Sequence, residues 1–175
     1  MFRIIKKSLR TGVVTGRHPE PQAPGVEISD EARQKTKMFS RSLTIREVDT
    51  GSCNGCEMEM NALMNPVYDA ERFGIHIAAS PRHADVLVVT GPVTVNMERA
   101  LKDVHTATPD PKLVIALGDC ACDCGMFKGS YAVTGPVERH IPVDVKISGC
   151  PPRPSEILDA LLAVMNRDNK ETRKK

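Results

Sequence analysis

Residues 112–120 read K-L-V-I-A-L-G-D-C, an apolar run that stops at a glycine and delivers Cys120. A run this continuous predicts a strand covered on both faces, the kind found in parallel sheets. The construction recurs along the chain. Residues 43–48 (L-T-I-R-E-V) run into D-T-G-S-C-N-G-C with Cys53 and Cys56, and residues 143–147 (V-D-V-K-I) run into S-G-C with Cys150. Residues 84–90 (A-D-V-L-V-V-T) form a further buried run ended by Gly91-Pro92, and residues 74–79 (G-I-H-I-A-A) supply one more strand. Helices are predicted over 57–64, stopped by Asn65-Pro66, over 96–106, and over 154–166, where Pro154 suits a first helical position. Strands alternating with helices predict an α/β fold, a flavodoxin-like, largely parallel sheet with helices on both faces. The C-terminal ends of parallel strands open on one edge, where such folds bind ligands. Cys53, Cys56, Cys120 and Cys150 then converge there.

At 175 residues and 41% apolar content the chain has the size and material for one core. A net charge of +2, 3% aromatics and no Trp offer neither a basic face nor stacking platforms, which argues against nucleic acid as a partner. Arg3, Lys6, Lys7 and Arg10 interrupt the N-terminus, so no leader or membrane helix is expected there and a cytosolic setting follows. In that compartment six cysteines point to metal or redox chemistry rather than structural disulfides. Residues 1–41, with Pro19, Pro21, Pro24 and Gly25, read as an N-terminal arm. Ile4, Ile5 and Leu9 within it offer one apolar side to a partner or membrane surface, or simply fray. Residues 42–168 form the α/β domain and 169–175 a polar tail.

Thiolates are soft, strongly donating ligands, and four of them on short glycine-containing loops suit an iron-sulfur cluster. Gly51, Gly55, Gly118 and Gly149 allow close backbone approach, and their amides are expected to point at the sulfides. A four-thiolate zinc site and reduced core thiols are the alternatives. Zinc commonly takes two C-x-x-C pairs, whereas one pair here joins two isolated cysteines.

The runs G-S-C-N-G-C-E-M-E-M, S-P-R-H-A-D-V-L-V-V-T-G, P-D-P-K-L-V-I-A-L-G-D-C-A and I-P-V-D-V-K-I-S-G-C-P-P-R-P closely resemble the family shared by the 20 kDa subunit of respiratory complex I and the small subunits of nickel-iron hydrogenases. The likeness covers residues 43–166. It implies a flavodoxin-like domain with one 4Fe-4S cluster, and it carries the family's four ligands onto Cys53, Cys56, Cys120 and Cys150. Complex I members resemble C-C-x-x-E at the first loop, whereas this chain has C-N-G-C followed by Glu57 and Glu59, similar to hydrogenases. The chain lacks the further cluster ligands of uptake enzymes after Cys150. It therefore looks like the small subunit of membrane-anchored, energy-converting hydrogenases of the formate hydrogenlyase and hydrogenase-4 type.

That resemblance implies an electron-transfer subunit, not catalytic alone, held on the cytoplasmic face of the inner membrane through its complex. The implied partners are a nickel-iron large subunit, a ferredoxin-like iron-sulfur subunit and integral membrane subunits. The alternatives are a complex I-type subunit and a zinc-stabilised interaction module. Glu57 and Glu59 are candidates for proton movement or for helix capping. Arg82 and His83 fall in a family motif near the cluster, with surface pairing of Arg82 to Asp85 as the alternative. Cys122 and Cys124 are read as small residues of a tight loop, with ligand or redox roles as alternatives. The other histidines, His18, His76, His105 and His140, are assigned to surface or packing. The Met58, Met60 and Met64 side of the first helix is a candidate partner face or plain core.

Overall fold

Val86–Thr90 (β4) and Leu113–Leu117 (β6), buried at every position, lie side by side as parallel strands at the centre of a six-stranded sheet. The computed structural model describes residues 26–28, 39 and 42–165. Around the central pair stand Leu43–Asp49 (β2), Ile75–Ile77 (β3) and Val145–Ile147 (β8), so that these five strands run parallel. The order β3-β2-β4-β6-β8 is the doubly wound arrangement in which the chain reverses its direction of travel between β2 and β4. Loops leaving those two strands part there, and the gap between them is where such folds bind ligands.

The expectation of an irregular arm over residues 1–41 needs a correction. Val26–Ile28 (β1) pairs antiparallel with β8 and closes that side of the sheet. Three residues beside Pro24 and Gly25 show no periodicity of their own. The unpaired amide and carbonyl groups along the β8 edge recruit them, which is a tertiary effect. The apolar residues Ile4, Ile5 and Leu9 and the 169–175 tail lie outside the described residues.

Alternation along the strands sorts the core into two layers. Leu43, Ile45, Val88, Leu113, Ile115, Leu117 and Ile147 face Gly55–Ala62 (α1) and Pro154–Val164 (α4). Leu87, Val89, Val114 and Ala116 face Glu98–Ala107 (α2) and the one-turn Asp119–Asp123 (α3). Each fully buried Leu or Ile contributes about 1.5–3 kcal/mol. A short ribbon, Val93–Thr94 (β5) with Val133–Gly135 (β7), follows β4. It is tied to α2 through His140, whose buried ring reaches Thr134 Oγ1 at 3.0 Å and Glu98 Oε1 at 3.5 Å. Met60 is fully buried and Met64 packs on the core, so of the methionine stripe only Met58 faces outward. The remaining helices and strands follow the expected order with ends shifted by at most two residues, as fraying at element ends predicts.

Two aspartates hold the strands in register at their N-terminal ends. The N–H of Asp85 donates to Thr44 O at 2.8 Å while its carboxylate accepts the Thr44 N–H at 2.9 Å. Asp144 makes the same two-bond clamp with Val114, at 2.9 Å in both directions. Asp144→Ala leaves the buried Val114 amide without this acceptor and is expected to cost about 1–3 kcal/mol. Denaturant unfolding should show a lower midpoint at unchanged slope.

Candidate metal centre

Ser52, Cys53, Gly55 and Cys56 after β2, Gly91 after β4, Asp119 and Cys120 after β6, and Gly149, Cys150 and Pro151 after β8 line one open cavity enclosing about 300 Å³, part of it solvent. Four adjacent strand ends therefore meet at the reversal point of the sheet, and all four candidate cysteines lie there. Cys53 and Cys150 are exposed, Cys56 and Cys120 half-buried.

Carboxylates on two strand ends tie these loops together. Asp49 at the end of β2 accepts the N–H groups of Gly51 and Ser52, each at 2.7 Å, and so folds the first cysteine loop back on itself. Thr50 Oγ1 donates toward Thr90 O at 2.8 Å, and Thr94 Oγ1 donates to Thr50 O at 2.9 Å, joining that loop to the exit of β4. Across the cavity, Asp119 N–H donates to Gly149 O at 2.9 Å and its carboxylate accepts Gly149 N–H at 2.7 Å. The loops after β6 and β8 thus form a second tied pair.

The two pairs meet in tight contact. A Cβ on Gly118, where φ is +89°, would stand 2.6 Å from Cys56 Sγ, so only glycine leaves that sulfur its place. A Cβ on Gly55 would lie 3.5 Å from Cys53 Sγ and 3.7 Å from Pro151. The glycines work by giving room, and the expectation that their amides aim at a cluster is corrected for three of them. Gly51 and Gly149 donate to aspartates, and Gly118 donates to Ile147 O at 2.7 Å.

Electrostatics within the cavity is unfavourable for bare thiolates. Burial pushes the Cys56 thiol up to about 12, helped by the charge of Glu57 and by Cys120, Cys53 and Cys150. Cys120 is raised by burial and then by Cys150, Cys53, Asp119 and Asp123. Each sulfur feels the others. A cationic iron core would reverse that repulsion, since it binds sulfur as thiolate.

Glu57, at 9% exposure, sits behind the first loop. Its Oε1 accepts from Ser52 Oγ at 2.6 Å and from Thr90 Oγ1, both hydroxyls of the cavity wall or its backing. Glu59 is half-buried and lines no part of the cavity. Arg82 and His83 occupy the exposed turn Pro81–His83, before β4 begins. The cavity lies beyond the other end of that strand, five residues or about 16 Å away, so the structure does not bring these two residues to the cysteines.

Cys122 and Cys124 also stay out of the cavity lining. Their segment forms α3 rather than a loop, and two residues along a helix turn a side chain about 200° away from Cys120. Cys122 Sγ faces the carbonyls of Ala116 at 3.7 Å and Ile147 at 4.0 Å, and burial raises its thiol to about 11. Cys124 is buried at the end of α3 with φ +73°, in the left-handed region.

Sequence reading missed Asp49, Ser52, Thr90 and Asp119, which brace the cavity. An acid or hydroxyl at the C-terminal end of each strand was the available signal.

The sequence model of the family described as NADH ubiquinone oxidoreductase, 20 Kd subunit, matches residues 53–164. A probable membrane-bound hydrogenase subunit of Pyrococcus furiosus is 47% identical over 77% of this chain and 80% of its own length. Formate hydrogenlyase subunit 7 of Escherichia coli is 42% identical over 80% of this chain, which spans 55% of that protein. Among solved structures, a chain of the membrane-bound sulfane sulfur reductase, an archaeal respiratory membrane complex, superposes with a TM-score of 0.65 at 36% identity, covering 78% of this chain and 75% of that one.

The thiol environments predict an order of reaction. In the metal-free chain at mildly alkaline pH, iodoacetamide should modify exposed Cys53 and Cys150 well before Cys56 and Cys122, whose thiols are held protonated. Peptide mass spectrometry over a time course reads the order, and equal rates at all four would contradict these environments.

Proposed function

Since the chain belongs to the family of the NADH ubiquinone oxidoreductase 20 kDa subunit, we propose that it carries electrons as a subunit of a membrane-associated, hydrogenase-type oxidoreductase. In this reading Cys53, Cys56, Cys120 and Cys150 hold one 4Fe-4S cluster. The observation that carries it is the single cavity lined by four cysteines from three separate loops. A polynuclear core fits a ring of sulfurs around a space better than one ion does.

The cluster supplies one-electron exchange when bound. The protein's own part is positional. Asp49 and Asp119 fix the loops, Gly55 and Gly118 leave the sulfurs space, and Cys53 and Cys150 bring the cavity to the surface within reach of a partner. In this reading bond-making falls to another subunit. We assign that role to a nickel-iron large subunit, with a ferredoxin-like subunit on the other side of the electron path and membrane subunits as the anchor. Among the described residues no helix is long and apolar enough to cross a membrane, so the anchor in this reading is the complex. The P. furiosus and E. coli relatives, named as subunits of a membrane-bound hydrogenase and of formate hydrogenlyase, favour this over a complex I-type partner. The likeness to a chain of the sulfane sulfur reductase supports a second reading, in which the same subunit serves a large partner without nickel chemistry.

Iron, acid-labile sulfide and nickel analysis of the anaerobically purified complex separates these readings. Iron and sulfide in equal amounts with nickel present is the expected result; iron without nickel selects the second reading; zinc without iron overturns both. Cys150→Ser and Gly118→Ala should each lower the iron content of this subunit severalfold, whereas Cys122→Ser should leave it unchanged. Loss of iron in Cys122→Ser with retention in Cys150→Ser would overturn the ligand set.

A further inference from the structure

His140 lies away from the cysteine cavity, its side chain 7% exposed, and both of its ring nitrogens face oxygen. Nε2 is 3.0 Å from Thr134 Oγ1, and Nδ1 is 3.5 Å from Glu98 Oε1. The hydroxyl of Thr134 has one hydrogen and donates it to Val93 O at 2.9 Å, across the β5–β7 ribbon. Toward His140 its oxygen can then only accept, so Nε2 must carry a proton. Glu98 is an acceptor as well. The hydrogen bond from Lys102, at 2.6 Å, holds its carboxyl below the ordinary range against the opposing effect of desolvation, and the charges of Lys102 and His140 add to the lowering. An ionised carboxylate donates nothing, so Nδ1 needs a proton too. Only the imidazolium meets all of these contacts at once.

The charged groups around the ring have definite partners. From α2 come Glu98 and, behind it, Lys102. In the adjoining turn Val137–Arg139, Arg139 donates to Thr134 O at 3.0 Å and Glu138 pairs with Lys146 at 2.6 Å. The helix α3 packs on that turn, but its Asp119 binds Gly149, its Asp123 accepts the Gly125 N–H, and Cys122 faces backbone carbonyls. The ribbon strands, Val93–Thr94 and Val133–Gly135, contain no titratable side chain.

The ring holds the ribbon, and the ribbon holds the first cysteine loop. Thr94 gives Thr50 O both its N–H, at 3.0 Å, and its hydroxyl, at 2.9 Å. A Cβ on Gly51 would collide with Thr94 Cγ2, so the two chains are in close contact there. Thr50 and Gly51 lead directly into Ser52 and Cys53. A continuous set of contacts therefore runs from α2 through His140 and the ribbon to the base of that loop.

We propose that His140, held as an imidazolium between Glu98 and Thr134, seats the β5–β7 ribbon against the loop that carries Cys53, and that loss of its proton loosens this brace. The step is one acid–base event: a ring N–H bond breaks and the proton goes to solvent water. If Nδ1 loses it, a lone pair faces the Glu98 carboxylate and that contact turns repulsive. If Nε2 loses it, Thr134 must turn its hydroxyl to the ring and abandon Val93 O. Either way one tie on the ribbon is given up. The bearing of the brace on electron transfer rests on the reading above, whereas the brace itself belongs to the chain whichever metal the cysteines hold. His140 does not line the cavity and acts through the ribbon, as a positioning residue.

The test uses the full-length, metal-free chain, labelled with nitrogen-15 and kept reduced. Two-bond proton–nitrogen spectra of the histidine rings and backbone amide spectra are recorded over one pH series, from mildly acidic to mildly alkaline. The expected result is a His140 ring with both nitrogens protonated at the acid end and one at the alkaline end, with the Thr94, Thr134 and Gly51 amide signals moving at the same midpoint. His140→Gln should leave those three amides unresponsive across the series. Glu98→Gln keeps the ring, and should move the ring and amide transitions together toward lower pH. A ring that carries one proton throughout, or keeps both throughout, would overturn the inference, as would a ring transition that the Thr94 and Gly51 signals do not follow. Each of those outcomes leaves the proposed function standing, because the chain is measured without metal and the iron-sulfur reading fails or holds on the metal content of the complex.

Discussion

Four ionised sulfurs facing one cavity repel one another, and the fold brings them there all the same. Burial and mutual charge push the Cys56 thiol up to about 12 and raise Cys120, so in the metal-free chain these two sulfurs are held as thiols. Binding a cationic core converts that penalty into attraction, and the donor set is soft sulfur throughout. The architecture is legible as the means of holding this otherwise unfavourable gathering in place.

It does so with carboxylates at both ends of the sheet. Asp85 and Asp144 clamp the N-terminal ends of neighbouring strands, each through a pair of bonds to one residue. Asp49 and Asp119 shape the loops at the C-terminal ends. Buried hydroxyls from Thr50 and Thr90 stitch the switch-point loops to each other and to Glu57. Charge-assisted hydrogen bonds of this kind are worth about 1.5–3 kcal/mol each, enough to keep loops in register against the repulsion among the cysteines.

Much of this was legible in the chain because the buried strands carry unbroken apolar runs and each cysteine loop follows one directly. Strand polarity alone then gathers Cys53, Cys56, Cys120 and Cys150 on one edge. The same rule, applied to S-P-R-H-A-D, would have put Arg82 and His83 on the opposite edge, since they precede β4 rather than follow it. Motif proximity to a strand was a weaker guide than direction along it. Val26–Ile28 was illegible because its strand identity comes from the free edge of β8 and not from its own residues. The electrostatic effect of Glu57 on Glu47 needed the fold, for the two acids are ten positions apart in the chain. The pattern L-T-I-R-E-V did show an acid on the inward register, a local inconsistency of the kind that marks functional positions.

X-ray absorption at the iron and zinc edges of the anaerobically prepared protein tests the central claim most directly. The account predicts iron surrounded by sulfur, with a second shell of nearby iron atoms that a mononuclear site cannot give. Zinc bound to the four cysteine sulfurs, with no iron edge, would contradict it.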